Sequence, residues 1–160
     1  MIRMFGVEAY YGDATRPDML HAAGIEEAKV LVICIDDKEH ITKLTEYVLK
    51  NYPHVHVVAR AVDRPHVFEL WAAGCRDIIR ETFDSSLRAG RSVLEALGAS
   101  RREADERVAK MQAFDRSTMP EMAALYKPGV PITQNKAFVK RGREIFEEFE
   151  RQVQETHSEE

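Results

Sequence analysis

Residues 6–37 read GVEAYYGDATRPDMLHAAGIEEAKVLVICIDD, and their order decides the fold. Val7–Tyr11 is rich in β-formers and closes on Gly12, which predicts a short strand. A helix is expected at once. Thr15 and Asp18 have the spacing of a hydroxyl-x-x-acid cap. Pro17 falls in the first turn, where its missing N–H is no loss, and Leu20, Ala23 and Gly24 complete a short helix. Val30–Ile35 then runs continuously apolar, as a strand does when both faces of a parallel sheet are covered. It ends on Asp36 and Asp37.

The same cadence continues outward. A helix is expected from Lys38 to about Lys50, with Ile41, Leu44, Val48 and Leu49 on one side. Val55–Ala61 reads as the next strand. Asp63-Arg64-Pro65 opens a helix carrying Val67, Phe68, Leu70 and Trp71, and Arg76–Arg80 reads as a further strand. The segments RPDMLHAAG and RPHVFELWAAG both start on Arg-Pro and end on Ala-Ala-Gly before a strand, so a βα unit repeats. After Glu81 only helices are expected. Phe83–Leu97 is amphipathic and stops at Gly98. Ser100 and Glu103 form a capping-box pattern that starts another helix, running to about Phe114, and Pro120 is expected to break or kink any continuation of it. A loop at Lys127–Pro131 leads to a last helix with Phe138, Ile145, Phe149 and Val153 on one stripe and a frayed tail from Thr156 to Glu160.

The 160 residues suffice for one domain, or for a small domain with an appendage. A hydrophobic content of 44%, a charged content of 31% and a net charge of −4 describe an ordinary soluble protein, and nothing asks for nucleic acid. Cys34 and Cys75 have neither metal-knuckle nor redox-pair spacing and read as buried or half-buried thiols in a reducing compartment. Met1–Gly6 lacks the apolar run of a signal peptide and no stretch approaches a membrane span, so a soluble, cytoplasmic chain is expected.

In open α/β sheets ligands lie beyond the carboxyl ends of the strands. Those ends hold Asp13, Ala14 and Thr15, then Ile35 and Asp36, then Arg60, then Arg80 and Glu81. Asp13 can accept hydrogen bonds from a ribose or an amino group, Thr15 can donate to a phosphate, and Arg60 can offset phosphate charge. Equally, Asp13, Thr15 and Asp36 or Asp37 can cap helices while Arg60 is a solvated strand end. His54 and His56 lie two apart on a strand without a third ligand nearby, so no metal site is expected. A different class, the receiver domain, would use Asp36 and Asp37 to hold Mg²⁺ and form an aspartyl phosphate. It also needs a later Asp and a Lys, which Val58–Ala61 and Ile78–Glu81 do not supply. No catalytic residue is expected, and a nicotinamide-dependent oxidoreductase lacks its glycine fingerprint.

The string of residues 6–37, followed by HVHVVARAVDR and AAGCRDIIRETF, resembles the RCK (TrkA-N) regulatory domain of Kef-type glutathione-regulated potassium efflux systems. The resemblance covers Met1 to about Ala113. It implies a Rossmann-like α/β fold with a parallel sheet, N-terminally truncated by its first βαβ segment, followed by C-terminal amphipathic helices. It further implies a cytoplasmic module that binds AMP or NAD(H), forms a homodimer, and gates K⁺/H⁺ exchange by a membrane antiporter, with an ancillary regulatory subunit as a further partner. The nucleotide site would fall on Asp13, Ala14, Thr15, Ile35, Asp36 and Arg60. Residues 1–81 would be the partial nucleotide-binding domain, 82–126 the crossover and dimerisation helices, and 127–160 a helical tail. The dimer contacts would be Leu87, Val93, Leu94 and Leu97, the competing expectation being that these side chains cover their own sheet. The absence of a Gly-x-Gly-x-x-Gly turn implies weak nucleotide binding, and it leaves the strands at Val7–Tyr11 and Val30–Ile35 as sheet edges. Trp71 and Asp115 stand where the resemblance leads one to expect a basic residue and an amide, which weighs against control by glutathione.

Overall fold

A computed structural model describes residues 11–158, so the expected strand at Val7–Tyr11 lies outside the described residues except for Tyr11. The described elements are α1 (Pro17–Ala22), β1 (Val30–Ile33), α2 (Lys38–Asn51), β2 (His56–Ala61), α3 (Arg64–Ala72), β3 (Asp77–Arg80), α4 (Phe83–Ala96), α5 (Arg101–Leu125), a 3-10 turn at Ile132–Gln134, and α6 (Lys136–Ser158). The strands form a parallel sheet in the order β1-β2-β3. Its register places Val32 beside Val58 and Arg60 beside Ile79.

The repeated Ala-Ala-Gly ends do the same job twice. Gly24 and Gly74 take φ of +82° and +99°, a left-handed conformation that a side chain would strain. In both, the next N–H turns back onto the helix: Ile25 donates to the Leu20 carbonyl and Cys75 to the Leu70 carbonyl. The helix starts differ. Asp63 caps α3 by accepting from the His66 N–H at 2.7 Å, whereas α1 begins after Arg16 with no side-chain cap. The expected Thr15/Asp18 cap does not form because both groups have nearer partners. The Thr15 N–H and hydroxyl both donate to Asp13 Oδ1, at 2.9 and 2.7 Å, and the Arg16 guanidinium holds Asp18 at 2.7 Å.

One face of the sheet is covered. Ile33, Val57, Ala59 and Ala61 pack against Ile41, Leu44 and Val48 of α2, Val67 and Leu70 of α3, and Leu20 of α1. The other face presents Val30, Val32 and Ile79, with Val32 60% exposed. The apolar run at Val30–Ile35 therefore belongs, among the described residues, to an edge strand covered on one side only. Continuous apolarity cannot distinguish that arrangement from burial on both faces.

His66 joins three pieces of this layer. Its ring is fully buried, with Nδ1 accepting from the Val62 N–H at 3.1 Å and Nε2 lying 3.1 Å from Thr42 Oγ1. The Thr42 hydroxyl donates to the Lys38 carbonyl, which assigns the histidine proton to Nε2. Burial holds its pKa below the ordinary value.

A second core, built on Phe68, Met122, Ala123, Phe138 and Ile145, joins α3 to α5 and α6. It explains why α5 does not stop near Phe114 or break at Pro120. An interior proline costs about 3 kcal/mol. Here Asp115 and Thr118 before it, and Met122 and Ala123 after it, are all buried. Packing on both sides of the proline outweighs its local penalty. The Ser100/Glu103 capping box forms as expected.

Candidate functional site

The carboxyl ends of the strands converge on Arg60. From β2 its Nη2 donates to the Ile35 carbonyl at 3.1 Å and to Asp36 Oδ1 at 2.7 Å, while Nη1 lies 3.4 Å from Glu81 Oε1 beyond β3. The Arg60 side chain is only 23% exposed and the Asp36 carboxylate is fully exposed at 100%. One member of this ion pair is thus fixed in the protein, and the other is free to swing into water. The Asp36 contact, helped by Glu81, raises the Arg60 pKa. Arg60 Nε is buried and has no hydrogen-bond partner, so the guanidinium keeps donor capacity that the protein does not use.

Asp13 and Thr15 form a separate, preformed pair on the segment entering α1. The Thr15 hydroxyl and N–H, both donating to the Asp13 carboxylate, pull its pKa below the ordinary value, with the nearby His40 adding a smaller effect in the same direction. His40 stands in the first turn of α2, directly after β1, so this pair belongs to the same end of the sheet. Ala14 contributes no side-chain polar group. It lies in the turn closed by the Arg16 N–H donating to the Asp13 carbonyl at 3.1 Å.

Asp36 and Asp37 diverge. Asp37 caps α2, accepting from the His40 N–H at 2.8 Å, while Asp36 faces Arg60. The geometry therefore gives the two carboxylates of the receiver reading different partners. Among the described residues no cluster of His, Cys, Asp or Glu suits a metal ion. His56 instead pairs with Asp77 at 2.9 Å, and His54 lies 2.8 Å from the Glu26 carbonyl.

Two members of the cluster, Glu81 and His40, are not among the expected nucleotide-site residues. Glu81 stands at a strand end, so the rule that picks out Arg60 also reaches it. His40 lies inside a helix and carries no such signal.

A second polar joint lies nearby. Asp115 of α5 is buried, with both oxygens engaged by Arg80 at the end of β3 and with Arg64 Nη1 at 3.4 Å. Trp71 and Asp115 line one cavity of about 340 Å³, together with Arg76, Arg80 and Phe83. The Arg76 guanidinium lies 4.3 Å from the Trp71 ring centre. The positions where a basic residue and an amide were expected are thus brought together, and the acid there is held by arginines.

The expected dimer residues lie on α4, which packs against α5 and buries none of its side chains. Arg91 holds Asp105 of α5 at 3.0 Å, with Leu87 and Leu94 half-buried alongside, while Val93 is 57% and Leu97 80% exposed.

Comparison with known sequences agrees with this architecture. The TrkA-N domain pattern matches residues 2–81. The chain belongs to the TrkA-N family. The pattern described as the potassium efflux system KefB C-terminal domain matches residues 85–160 of this TrkA-N chain, which makes it an RCK domain of the Kef type. The glutathione-regulated potassium-efflux system protein KefC of Salmonella arizonae is 44% identical over 122 residues, covering 76% of this chain and 20% of that protein. KefC of Salmonella paratyphi B is 43% identical over the same length and the same shares. The chain thus spans 20% of the length of these relatives. Among solved structures, the Shewanella denitrificans Kef C-terminal domain in its AMP-bound form superposes with a TM-score of 0.71 at 38% identity, covering 74% of this chain and 75% of that one. The TrkA-N domain of inner membrane protein ybaL from Escherichia coli, 23% identical with a TM-score of 0.51 and covering 60% of this chain and 68% of that one, shares the fold. Among the described residues no helix is long and apolar enough to cross a membrane.

Proposed function

We propose that the chain is the ligand-reading, non-catalytic part of a potassium efflux system, in which a nucleotide at the strand-end cluster biases cation exchange by a membrane antiporter. The observation that carries this reading is Arg60. It is a fixed cation at the carboxyl ends of a parallel sheet, with an unused buried donor and a counter-ion, Asp36, that solvent can take. A phosphate is a stronger and more highly charged acceptor than one exposed carboxylate, so it displaces Asp36 and takes over the terminal guanidinium donor that Asp36 holds. Asp13 and Thr15 then meet the ribose or base, and Ile35 and Ala14 line the approach. AMP is the favoured ligand because the Kef neighbour with a TM-score of 0.71 was solved with AMP. NAD(H) carries the same adenosine phosphate and is the second candidate.

In this reading residues 1–81 hold the ligand, 82–126 form the homodimer through the exposed side of α4 at Val93 and Leu97, and 127–160 follow as a helical tail. The module works at the cytoplasmic face of the membrane beside the antiporter and an ancillary subunit. Calorimetric titration with AMP tests this reading directly. Binding that drops at least tenfold in Arg60→Ala supports it, and binding unchanged by that substitution contradicts it.

A further inference from the structure

Helix α6 carries its charges the wrong way round. Lys136, Lys140, Arg141 and Arg143 against Glu144 make its N-terminal half basic, its first turn has no acidic residue, and Glu147, Glu148, Glu150 and Glu155 against Arg151 make the C-terminal half acidic. The helix dipole favours the opposite arrangement. Only part of this charge is used within the chain: Arg141 is held by Glu121, Glu144 and Glu148, and Lys140 reaches Glu144 at 3.8 Å. Among the described residues Lys136, Arg143, Glu147 and Glu150 have no ion-pair partner.

These charges border an apolar stripe beside the second core. Phe138 and Ile145 point into that core, whereas Val139, Phe146 and Val153 repeat every seven residues on the neighbouring stripe. Phe146 is 61% exposed and Val153 41% exposed. A heptad spacing is the period at which one helix keeps a seam against another. Arg143 and Glu150 lie on the same stripe, on either side of Phe146.

We propose that this face of α6 docks the same face of a second copy of the chain, antiparallel, with Phe146 at the two-fold axis. The arrangement is self-complementary. Val139 meets Val153 of the second copy, and the basic half of each helix lies along the acidic half of the other, so that Arg143 meets Glu150. A parallel pair would set like charges together. The surface is separate from α4, which packs on the beginning of α5 through Arg91 and Asp105, whereas α6 packs on its later part through Arg141 and Glu121. A helix of 23 residues is about 34 Å long, so one such pair buries less than a standard interface and should be weak and salt-sensitive.

The test is sedimentation velocity on the full chain carrying Val93→Glu and Leu97→Glu, which silences the α4 face and reads α6 alone. The parent is expected to self-associate reversibly and to dissociate as salt rises. Arg143→Glu alone and Glu150→Arg alone, both at exposed positions, should each weaken association at least tenfold. An equimolar mixture of the two should restore it, because every cross-chain pair then becomes attractive. A parent that stays monomeric at hundreds of micromolar overturns the proposal and leaves the face to another occupant. Variants that associate like the parent, or a mixture that restores nothing, also overturn it. A failure confined to α4 would appear instead as unchanged association on introducing the two α4 substitutions.

Discussion

Helices α2 and α4 are both 14 residues long and both amphipathic, yet they use their apolar sides differently. The α2 helix buries Ile41, Leu44, Thr45 and Val48 against the sheet. The α4 helix buries nothing and is held to α5 by half-buried Leu87 and Leu94 and by one Arg91–Asp105 pair. Amphipathicity says that a face needs a cover; it does not say whether the same chain supplies it. The α2 face is a folding device. The α4 face is suited to a partner.

Substitutions separate the two roles. Ile41→Ala removes a fully buried side chain and should lower stability by about 2–5 kcal/mol in urea titration, whereas Val93→Ala on α4 should change it by less than about 0.5 kcal/mol. If both cost the same, the contrast between the helices fails.

The joint between the layered half and the helical half comes next in size. Asp115→Asn leaves Arg80, 16% exposed, without its counter-charge, and should cost about 3 kcal/mol in the same titration.

Acidification should act on the α2 side through His66, which is neutral in the fold and has its pKa lowered chiefly by burial, with Lys38 lowering it further and Glu69 and Asp63 opposing. Because the unfolded chain takes up the proton first, the contribution is complete above about pH 6.5 and is lost as pH falls from there towards the folded-state pKa. His66→Gln should flatten that slope in the stability-versus-pH curve. A slope unchanged by the substitution would assign it to other groups.

The smallest effect on stability should accompany the largest effect on assembly. Leu97→Glu should shift the unfolding midpoint little, since the side chain is 80% exposed, while sedimentation should show loss of the dimer proposed to form through α4.

The α/β half was legible because its signals are local. Gly24 and Gly74 at positive φ and Asp37 and Asp63 as caps are each set by a few neighbouring residues, as is the Ser100 box that starts α5 in the helical half. The continuity of α5 through Pro120 was not legible, because it depends on Phe68, Phe138 and Ile145 packing from distant segments. At the site, sequence placed Asp36 and Arg60 at strand ends, but not their pairing. That pairing follows from the parallel register, which aligns the ends of β1 and β2. Thr15 has the spacing of a helix cap, and the nearer Asp13 claims it instead.

In the proposed function a nucleotide enters at Arg60. Amide chemical-shift mapping on the labelled chain during titration with AMP tests it most directly. Perturbations should concentrate at Gly12–Thr15, Ile35–Asp37, Arg60–Val62 and Glu81, with the Arg60 side-chain signals moving as Asp36 is displaced. Perturbations centred instead on Trp71, Phe83 and Asp115, or none at millimolar AMP, would contradict it.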